Sequence, residues 1–272
     1  MCTSDLIFDV GMHLGEDTEF YLEKGFRVVG IEADPALCAA VAERLHHHVG
    51  SGRLIIVNAA IAGKPGRAAF YRDPDNSIWG TTEPAWVARN ATLGTHIDRV
   101  QRIEVEAVPM ESILAAHGVP YYMKVDIEGR DMLCVAALRD LPDRPKYLSI
   151  EASKTALADV DAELALMSEL GYRDFKVVPQ HAVSNQVPPK PSREGRYAEW
   201  RFSHGSSGLF GEEAPGDWLD VERARQAYRP IFRSYRLLGD KPLIPISHVR
   251  NLLRRFGFEA GWHDTHARLG NA

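Results

Sequence analysis

The chain lacks the marks of a membrane or secreted protein. No run approaches the roughly 20 consecutive apolar residues that a membrane-spanning helix needs. The opening residues, MCTSDLIFDVG, have no basic stretch with a long apolar run behind it and lead straight into a strand-like segment. No signal peptide is therefore expected. Cysteine is scarce: Cys2, Cys38 and Cys134 are an odd, scattered set among 272 residues. That argues against a disulfide framework and for a reducing compartment, so a cytoplasmic location is expected. Strong charge is missing too. With 32 Lys+Arg against 37 Asp+Glu, the net charge is −5, too mild for a nucleic-acid binder. Neither a nucleic-acid nor a membrane partner is expected, and a homo-oligomer stays open.

What is present is ordinary globular material, 45% hydrophobic and 25% charged. The length fits one large domain, or one domain with an extension, and suffices for a full core without metal or disulfide staples. The charge is unevenly spread. From Arg223 to the end there are ten basic and three acidic residues, so a basic tail of +7 follows a body of −12.

Strand-like and helix-like stretches alternate through the first 150 residues. Apolar runs at Leu6–Val10, Arg27–Ile31, Leu54–Asn58, Tyr121–Ile127 and Tyr147–Glu151 read as strands. Helical patterns fall at Glu16–Lys24, from Pro35 onward with Asp34 as cap, at Glu111–His117 and at Arg130–Arg139. Arg67–Tyr71 and Ile103–Ala107 read as strand pieces around a loop, Ala158–Leu170 as a helix and Asp174–Pro179 as a further strand. Repeated β–α–β units with continuous apolar strands predict a doubly wound, Rossmann-like α/β fold. Beyond Pro179 the chain becomes rich in Pro, Gly and Ser. Val249, Leu252, Leu253 and Phe256 then form one apolar helix stripe, with Arg250, Arg254 and Arg255 on the other side. The stripe predicts docking on the body; attraction of an anionic acceptor by the arginines is the alternative.

In such a fold, ligands sit beyond the carboxyl ends of the strands at the switch point. The first loop there is Asp9-Val-Gly11-Met-His13-Leu-Gly15, with Glu32 ending the second strand. The glycines permit a tight turn, and an acid at position 32 can accept two hydrogen bonds from a ribose diol. A turn that merely needs glycine is the plainer alternative. A dinucleotide site expects three glycines at Gly-x-Gly-x-x-Gly spacing, whereas Gly11-x-x-x-Gly15 has two. Asp9 would repel a pyrophosphate but attract the sulfonium and ammonium of S-adenosylmethionine.

These segments resemble the FkbM-type S-adenosylmethionine-dependent methyltransferases. The resemblance runs through Phe8–Gly15, Val29-Gly-Ile-Glu32-Ala-Asp-Pro35, Val57-Asn58-Ala59-Ala60-Ile61-Ala62 with Gly66, and Lys124-Val-Asp126-Ile-Glu128-Gly129-Arg-Asp131. The last matches the family's Lys-x-Asp-x-Glu-Gly-x-Glu/Asp signature. The family usually has Asn where this chain has His13. The resemblance implies a seven-stranded methyltransferase sheet over residues 1–178, with 179–272 as an extension that caps the substrate without forming an independent domain. It implies Asp9, Gly11, His13 and Gly15 around the amino-acid end of the cofactor, Glu32 on the ribose, Asn58 and Ala59 near the adenine, and Asp126 facing the reactive methyl.

If the acceptor is a hydroxyl, its proton needs a base or a metal. Asp126 and Glu151 end neighbouring strands and can act as base and orienter, or share one divalent cation such as Mg2+ with waters. Capping a strand or a helix N-terminus is the alternative for Glu151. Lys124, on the same strand face as Asp126, is either catalytic or half of a buried ion pair. Trp79 can stack on a sugar or pack on the core. His204 and His263 are candidate substrate contacts, with His181 and His266 also considered as bases; surface or packing roles are the alternative for each. Gly205–Trp218 is expected to close over the site as a lid. The reading is an O-methyltransferase for a hydroxyl of a sugar, nucleotide sugar or polyketide-like acceptor, the acceptor class being implied by the resemblance. The rivals are a methyltransferase for a carboxylate or amine, a non-catalytic module retaining the fold, and a nucleotide-dependent dehydrogenase.

Overall fold

The computed structural model of the protein describes residues 3–74, 76–91, 97–153, 156–203, 205–238 and 262–270. The amino-terminal half runs β1 (Thr3–Val10), α1 (Glu16–Glu23), β2 (Arg27–Glu32), α2 (Pro35–Arg44), α3 (His46–Gly50), β3 (Leu54–Asn58), β4 (Ala60–Ile61), β5 (Gly66–Arg72), α4 (Pro84–Ala91), β6 (Gln101–Val108) and α5 (Met110–His117). It continues as β7 (Pro120–Val125), α6 (Asp131–Ala136), β8 (Tyr147–Glu151), α7 (Leu157–Glu169), β9 (Tyr172–Pro179), α8 (Val221–Leu238) and β10 (His263–Leu269).

Seven strands form one sheet in the order β3-β2-β1-β7-β8-β10-β9. The first five are parallel, and β10 runs antiparallel to both its neighbours. β1 is an inner strand beside the central β7, and its last five residues, Leu6–Val10, are buried, as a parallel strand covered on both faces must be. This is the expected doubly wound α/β sheet with the methyltransferase strand count. The order reverses at β1/β7, which opens the crevice for a ligand there. β4, β6 and β5 make a separate small sheet, so the two strand pieces expected around a loop pair with each other.

Local chemistry sets the element starts that matter for the site. Asp34 accepts the Ala36 N–H at 2.8 Å and Pro35 opens α2. Gly15, in the left-handed region at φ 76°, caps α1, whose first turn holds Glu16, Asp17 and Glu19. Acids there suit the positive end of the helix dipole. The strand expected to reach Ile127 stops at Val125, so Asp126 is the first residue beyond it.

Residues 263–269, within the segment read as an extension, supply an inner strand of the sheet. The loop-rich part before them is packed down as well. Phe210 stacks on Tyr122 of β7, with ring centroids 4.7 Å apart, and meets Phe20 and Tyr21 of α1 edge-on. Each such pair adds about 0.5–1.5 kcal/mol beyond its buried area. The fully buried Lys24 ammonium holds the equally buried Glu213 at 2.8 Å. α8 was not legible in the arginine-rich sequence; it rests on α7 and β9 through Ala224 and Tyr228, and Tyr228 bonds Thr265 of β10. The apolar stripe at 249–256 with its arginines lies outside the described residues, as does His204. Among the described residues no helix is long and apolar enough to cross a membrane.

Candidate active site

A cavity of about 600 Å³ opens at the carboxyl ends of β1, β2 and β7, a volume in the range of small-molecule sites. Its lining follows the strand order of the sheet: apolar Ala59 and Ala60 come after β3, Glu32 ends β2, Asp126 and Glu128 follow β7, Glu151 ends β8 and Asp264 lies on β10. Ala33, Ile61 and Phe70 add further apolar lining. Ser203, Gly205, Ser206 and Ser207 close the side over α1.

Beneath the cavity lies a buried charge network. Asp9 and Lys124 are register partners on β1 and β7, and the ammonium meets the Asp9 carboxylate at 3.0 Å. The other Asp9 oxygen accepts the Thr18 hydroxyl at 2.6 Å. Lys124 also donates to the Gly11 carbonyl at 3.1 Å and lies 3.6 Å from Asp17. Burial would lower the lysine pKa, but Asp9, Asp17 and Asp126 outweigh it and hold the group well above its ordinary range. Lys124 is thus a permanent cation and cannot serve as a base. Asp17 accepts the backbone N–H of Ser207 on both oxygens, at 3.0 and 2.9 Å, and pins the wall of the cavity. Burial pushes its carboxyl up to about 6, opposed by Lys124 and helped by Asp9.

The loop after β1 is shaped by close approach of backbone to backbone. Gly11 has φ 83°, and a Cβ there would collide with the carbonyl oxygen of Asp126. His13 sits at φ 53°, a region that Asn and His tolerate better than most residues. That conformation explains how His can replace the usual Asn. Its ring bridges Glu16 at 3.1 Å and Ser77 at 2.8 Å, while its backbone N–H bonds Glu32 at 2.9 Å. The second Glu32 oxygen accepts the Asp34 N–H at 2.8 Å. Burial raises the Glu32 pKa against these two N–H bonds.

The 124–131 segment divides its work residue by residue. Lys124 serves the buried network, Asp126 and Glu128 line the cavity, and Gly129, at φ 102°, lies where a Cβ would strike the Trp86 indole. Asp131 closes the loop by accepting the N–H groups of Ile127 at 3.2 Å and Gly129 at 3.3 Å. Behind it, Glu163 accepts the Ser153 N–H. Burial, with neighbouring carboxylates adding, pushes Asp131 up to about 7 and Glu163 up to about 8. A carboxyl raised in the folded state contributes most stability below its unfolded pKa and loses it as pH climbs through the folded value. Melting temperature is therefore expected to fall between pH 5 and 8.5, and Glu163→Gln to flatten that fall by a few degrees, at ~2–4 °C per kcal/mol. Calorimetry at the two pH values checks this; an unchanged slope would count against it.

The model of the methyltransferase FkbM domain matches residues 9–173, more than half of the chain. The chain belongs to the FkbM methyltransferase family. A search among curated proteins gives no match. Solved structures resemble it only distantly. A precorrin-6y C5,15-methyltransferase from Geobacter metallireducens is 11% identical, over 66% of this chain and 69% of that one, with a TM-score of 0.36. A phosphoethanolamine N-methyltransferase from Haemonchus contortus, in complex with phosphomonomethylethanolamine and S-adenosylhomocysteine, is 11% identical over 100% of this chain and 50% of that one, at 0.39. An S-adenosylmethionine-dependent methyltransferase from Thiobacillus denitrificans is 9% identical over 99% and 87%, at 0.34. At these scores none carries an argument about ligand or substrate.

Within this FkbM methyltransferase domain, Gly11, His13, Glu32, Ala59, Asp126, Glu151, Lys124 and Trp79 all line one cavity, as does His181. Three expected cofactor contacts do not. Asp9 is fully buried with Lys124 as its cation, so it positions that lysine and does not face a ligand. Gly15 caps α1. The Asn58 amide donates to the carbonyls of Glu32 and Ala33, holding the end of β2. His263 needs correction for a different reason. Side chains alternate along a strand, and in β10 it is Asp264 that lines the cavity. His263 and His266, three apart, lie on opposite faces and form no metal pair; His266 is buried, its pKa lowered to about 3 by burial and Lys176. The Gly205–Trp218 segment is anchored by Asp17 and Lys24, so it forms a fixed wall in this structure. Sequence reasoning missed Glu16, Asp17, Gln180 and Asp264. The run of acids opening α1 was a visible signal for the first two.

Proposed function

We propose that the protein is an S-adenosylmethionine-dependent O-methyltransferase acting on a hydroxyl of a small, sugar-like or natural-product acceptor. The observation that carries this reading is the order of chemistry across the strand ends that line one cavity: apolar residues after β3, then Glu32 on β2, then the carboxylates at β7 and β8. An adenine suits the apolar lining. Each Glu32 oxygen already accepts one backbone N–H and retains a second lone pair for a ribose hydroxyl. Carboxylates suit a sulfonium and an ammonium. When bound, the cofactor supplies a methyl group already activated for in-line displacement. The chain's own residues then have to align the acceptor, exclude water and take up its proton.

Asp126 and Glu151, at the ends of β7 and β8, are the proposed proton acceptor and its orienting partner. Lys124 holds the end of β1 and its loop through Asp9 and the Gly11 carbonyl and stays protonated throughout. The wall of Ser203 and Gly205–Ser207 keeps water off the amino-acid end. Oxygens of Asp126, Glu128 and Glu151 lie within 4.8 Å of one another, a hard-oxygen set of the kind that holds Mg2+, so metal assistance is the second reading. The described cysteines, Cys38 and Cys134, are free and buried, which supports a reducing, cytoplasmic setting.

The test is incubation with methyl-labelled S-adenosylmethionine and a panel of sugars, nucleotide sugars and lysate metabolites, with and without EDTA, followed by mass spectrometry. Label on a hydroxyl oxygen supports the reading, and label only on nitrogen or carboxylate contradicts it. Glu32→Gln is expected to weaken S-adenosylhomocysteine binding about 10–100-fold, since a hydrogen bond to a charged group contributes ~1.5–3 kcal/mol. Titration calorimetry reads this directly, and unchanged affinity would remove Glu32 from the ribose role.

A further inference from the structure

A second cavity adjoins the loop that follows β7. It measures about 380 Å³ and is walled by α4, the start of α6, the residues that end β8, and Glu163 of α7. The 126–132 segment is the partition between the two cavities. Asp126, Ile127, Glu128 and Arg130 line the first, while Gly129, Asp131 and Met132 line the second. Among the described residues, Glu151 alone lines both. The carboxylate read above as an orienting group thus stands where the two cavities share a wall.

The partition and α4 are fastened to each other. Asp131 holds the N–H groups of Ile127 and Gly129. The Thr81 hydroxyl donates to the Glu128 carbonyl at 2.9 Å, and Arg130 pairs with Glu83 just before α4. The Trp86 indole lies against Gly129, an approach that any Cβ at 129 would block. The Arg89 guanidinium lies over the same ring, 4.6 Å from its centroid. The indole is therefore held in place before a ligand arrives, which lowers the ordering cost of packing a ring against it.

The lining sets the second cavity apart from the first. Trp86, Met132, Ala85 and Ala152 supply aromatic and aliphatic surface. Two of its polar groups hold its walls, Asp131 as above and Glu163 by accepting the Ser153 N–H. An apolar lining with Glu151 at the shared wall suits a ring that carries one hydroxyl. A sugar would have to bury several hydroxyls beside those apolar groups, and each would need a partner.

We infer that the second cavity is the acceptor site and that it takes a hydroxylated aromatic ring system. Trp86 packs on the ring, and the hydroxyl reaches Glu151 at the wall shared with the first cavity. The inference rests on the methyltransferase reading for the fate of that hydroxyl, and it narrows the acceptor class from sugars to phenolic compounds.

The chain has five tryptophans, of which Trp79 lines the first cavity and Trp86 the second. Indole N–H NMR of the full-length, nitrogen-labelled protein therefore reads the two cavities separately, each resonance being identified by its loss in the Trp→Phe variant. S-adenosylhomocysteine is added first, then either 2-naphthol or methyl glucoside. The first addition is expected to shift Trp79. 2-Naphthol is then expected to shift Trp86 saturably, with an apparent affinity at least tenfold above that of methyl glucoside. Ala85→Phe narrows the second cavity from an exposed helix position. It is expected to weaken the 2-naphthol response at least tenfold while S-adenosylhomocysteine affinity stays within twofold. No saturable Trp86 shift with 2-naphthol, an equal or stronger one with methyl glucoside, or an undiminished response in Ala85→Phe would overturn the inference. Absence of any response to S-adenosylhomocysteine would instead contradict the methyltransferase reading, and the 2-naphthol titration run without it still decides the second cavity.

Discussion

Lys124→Met is expected to lower the melting temperature by on the order of 10 °C. The substitution leaves Asp9 fully buried and Asp17 nearly so, both without their cation. Breaking a buried pair by removing one partner typically destabilises by ~3–5 kcal/mol, because the remaining charge is uncompensated. At ~2–4 °C per kcal/mol for a chain of this size, that shift is easily resolved by calorimetry. Asp9→Asn in the same chain removes one orphaned charge and is expected to recover part of the loss. A catalytic lysine with no structural role would behave differently: activity would vanish with the melting point unmoved.

Asp126→Asn is expected to reduce kcat by ~10²–10⁴ if the acceptor is a hydroxyl, the range that a positioned proton acceptor contributes. Binding of S-adenosylhomocysteine is expected to change far less, since Asp126 meets the cofactor region at one point among many. The rate of the variant is also expected to rise toward high pH, where solvent hydroxide substitutes for the missing base. If the acceptor is a carboxylate or an amine already free of its proton, most of the rate survives. Single-turnover kinetics across pH separate these outcomes.

How much was legible in the chain beforehand follows from what physical signal each feature leaves. β1, β2, β7 and β8 are continuous apolar runs that end at Asp, Glu or Gly, and length and composition suffice to find them. Glu32 and Asp126 followed because they end such runs. The Asp9–Lys124 pair did not follow, because 115 positions separate the two residues and only the sheet register brings them together. Asp9 therefore read as ligand-facing when its cation was already in the protein. β10 was hidden for a related reason. His263–Leu269 alternates polar and apolar residues only weakly and becomes a strand through its place between β8 and β9. Without that pairing its parity was unknown, and attention fell on His263 when the cavity residue is Asp264. Asn58 shows the opposite error: a residue at the right place in a motif whose side chain bonds its own framework.

The measurement that tests the central claim most directly is titration calorimetry of the full-length protein with S-adenosylhomocysteine, with NAD as the comparison. The account predicts saturable heat at a stoichiometry of about one ligand per chain for S-adenosylhomocysteine and none for NAD, because carboxylates such as Glu16, Glu32, Asp126 and Glu128 among the described lining residues disfavour a pyrophosphate. Heat from NAD and none from S-adenosylhomocysteine would contradict it.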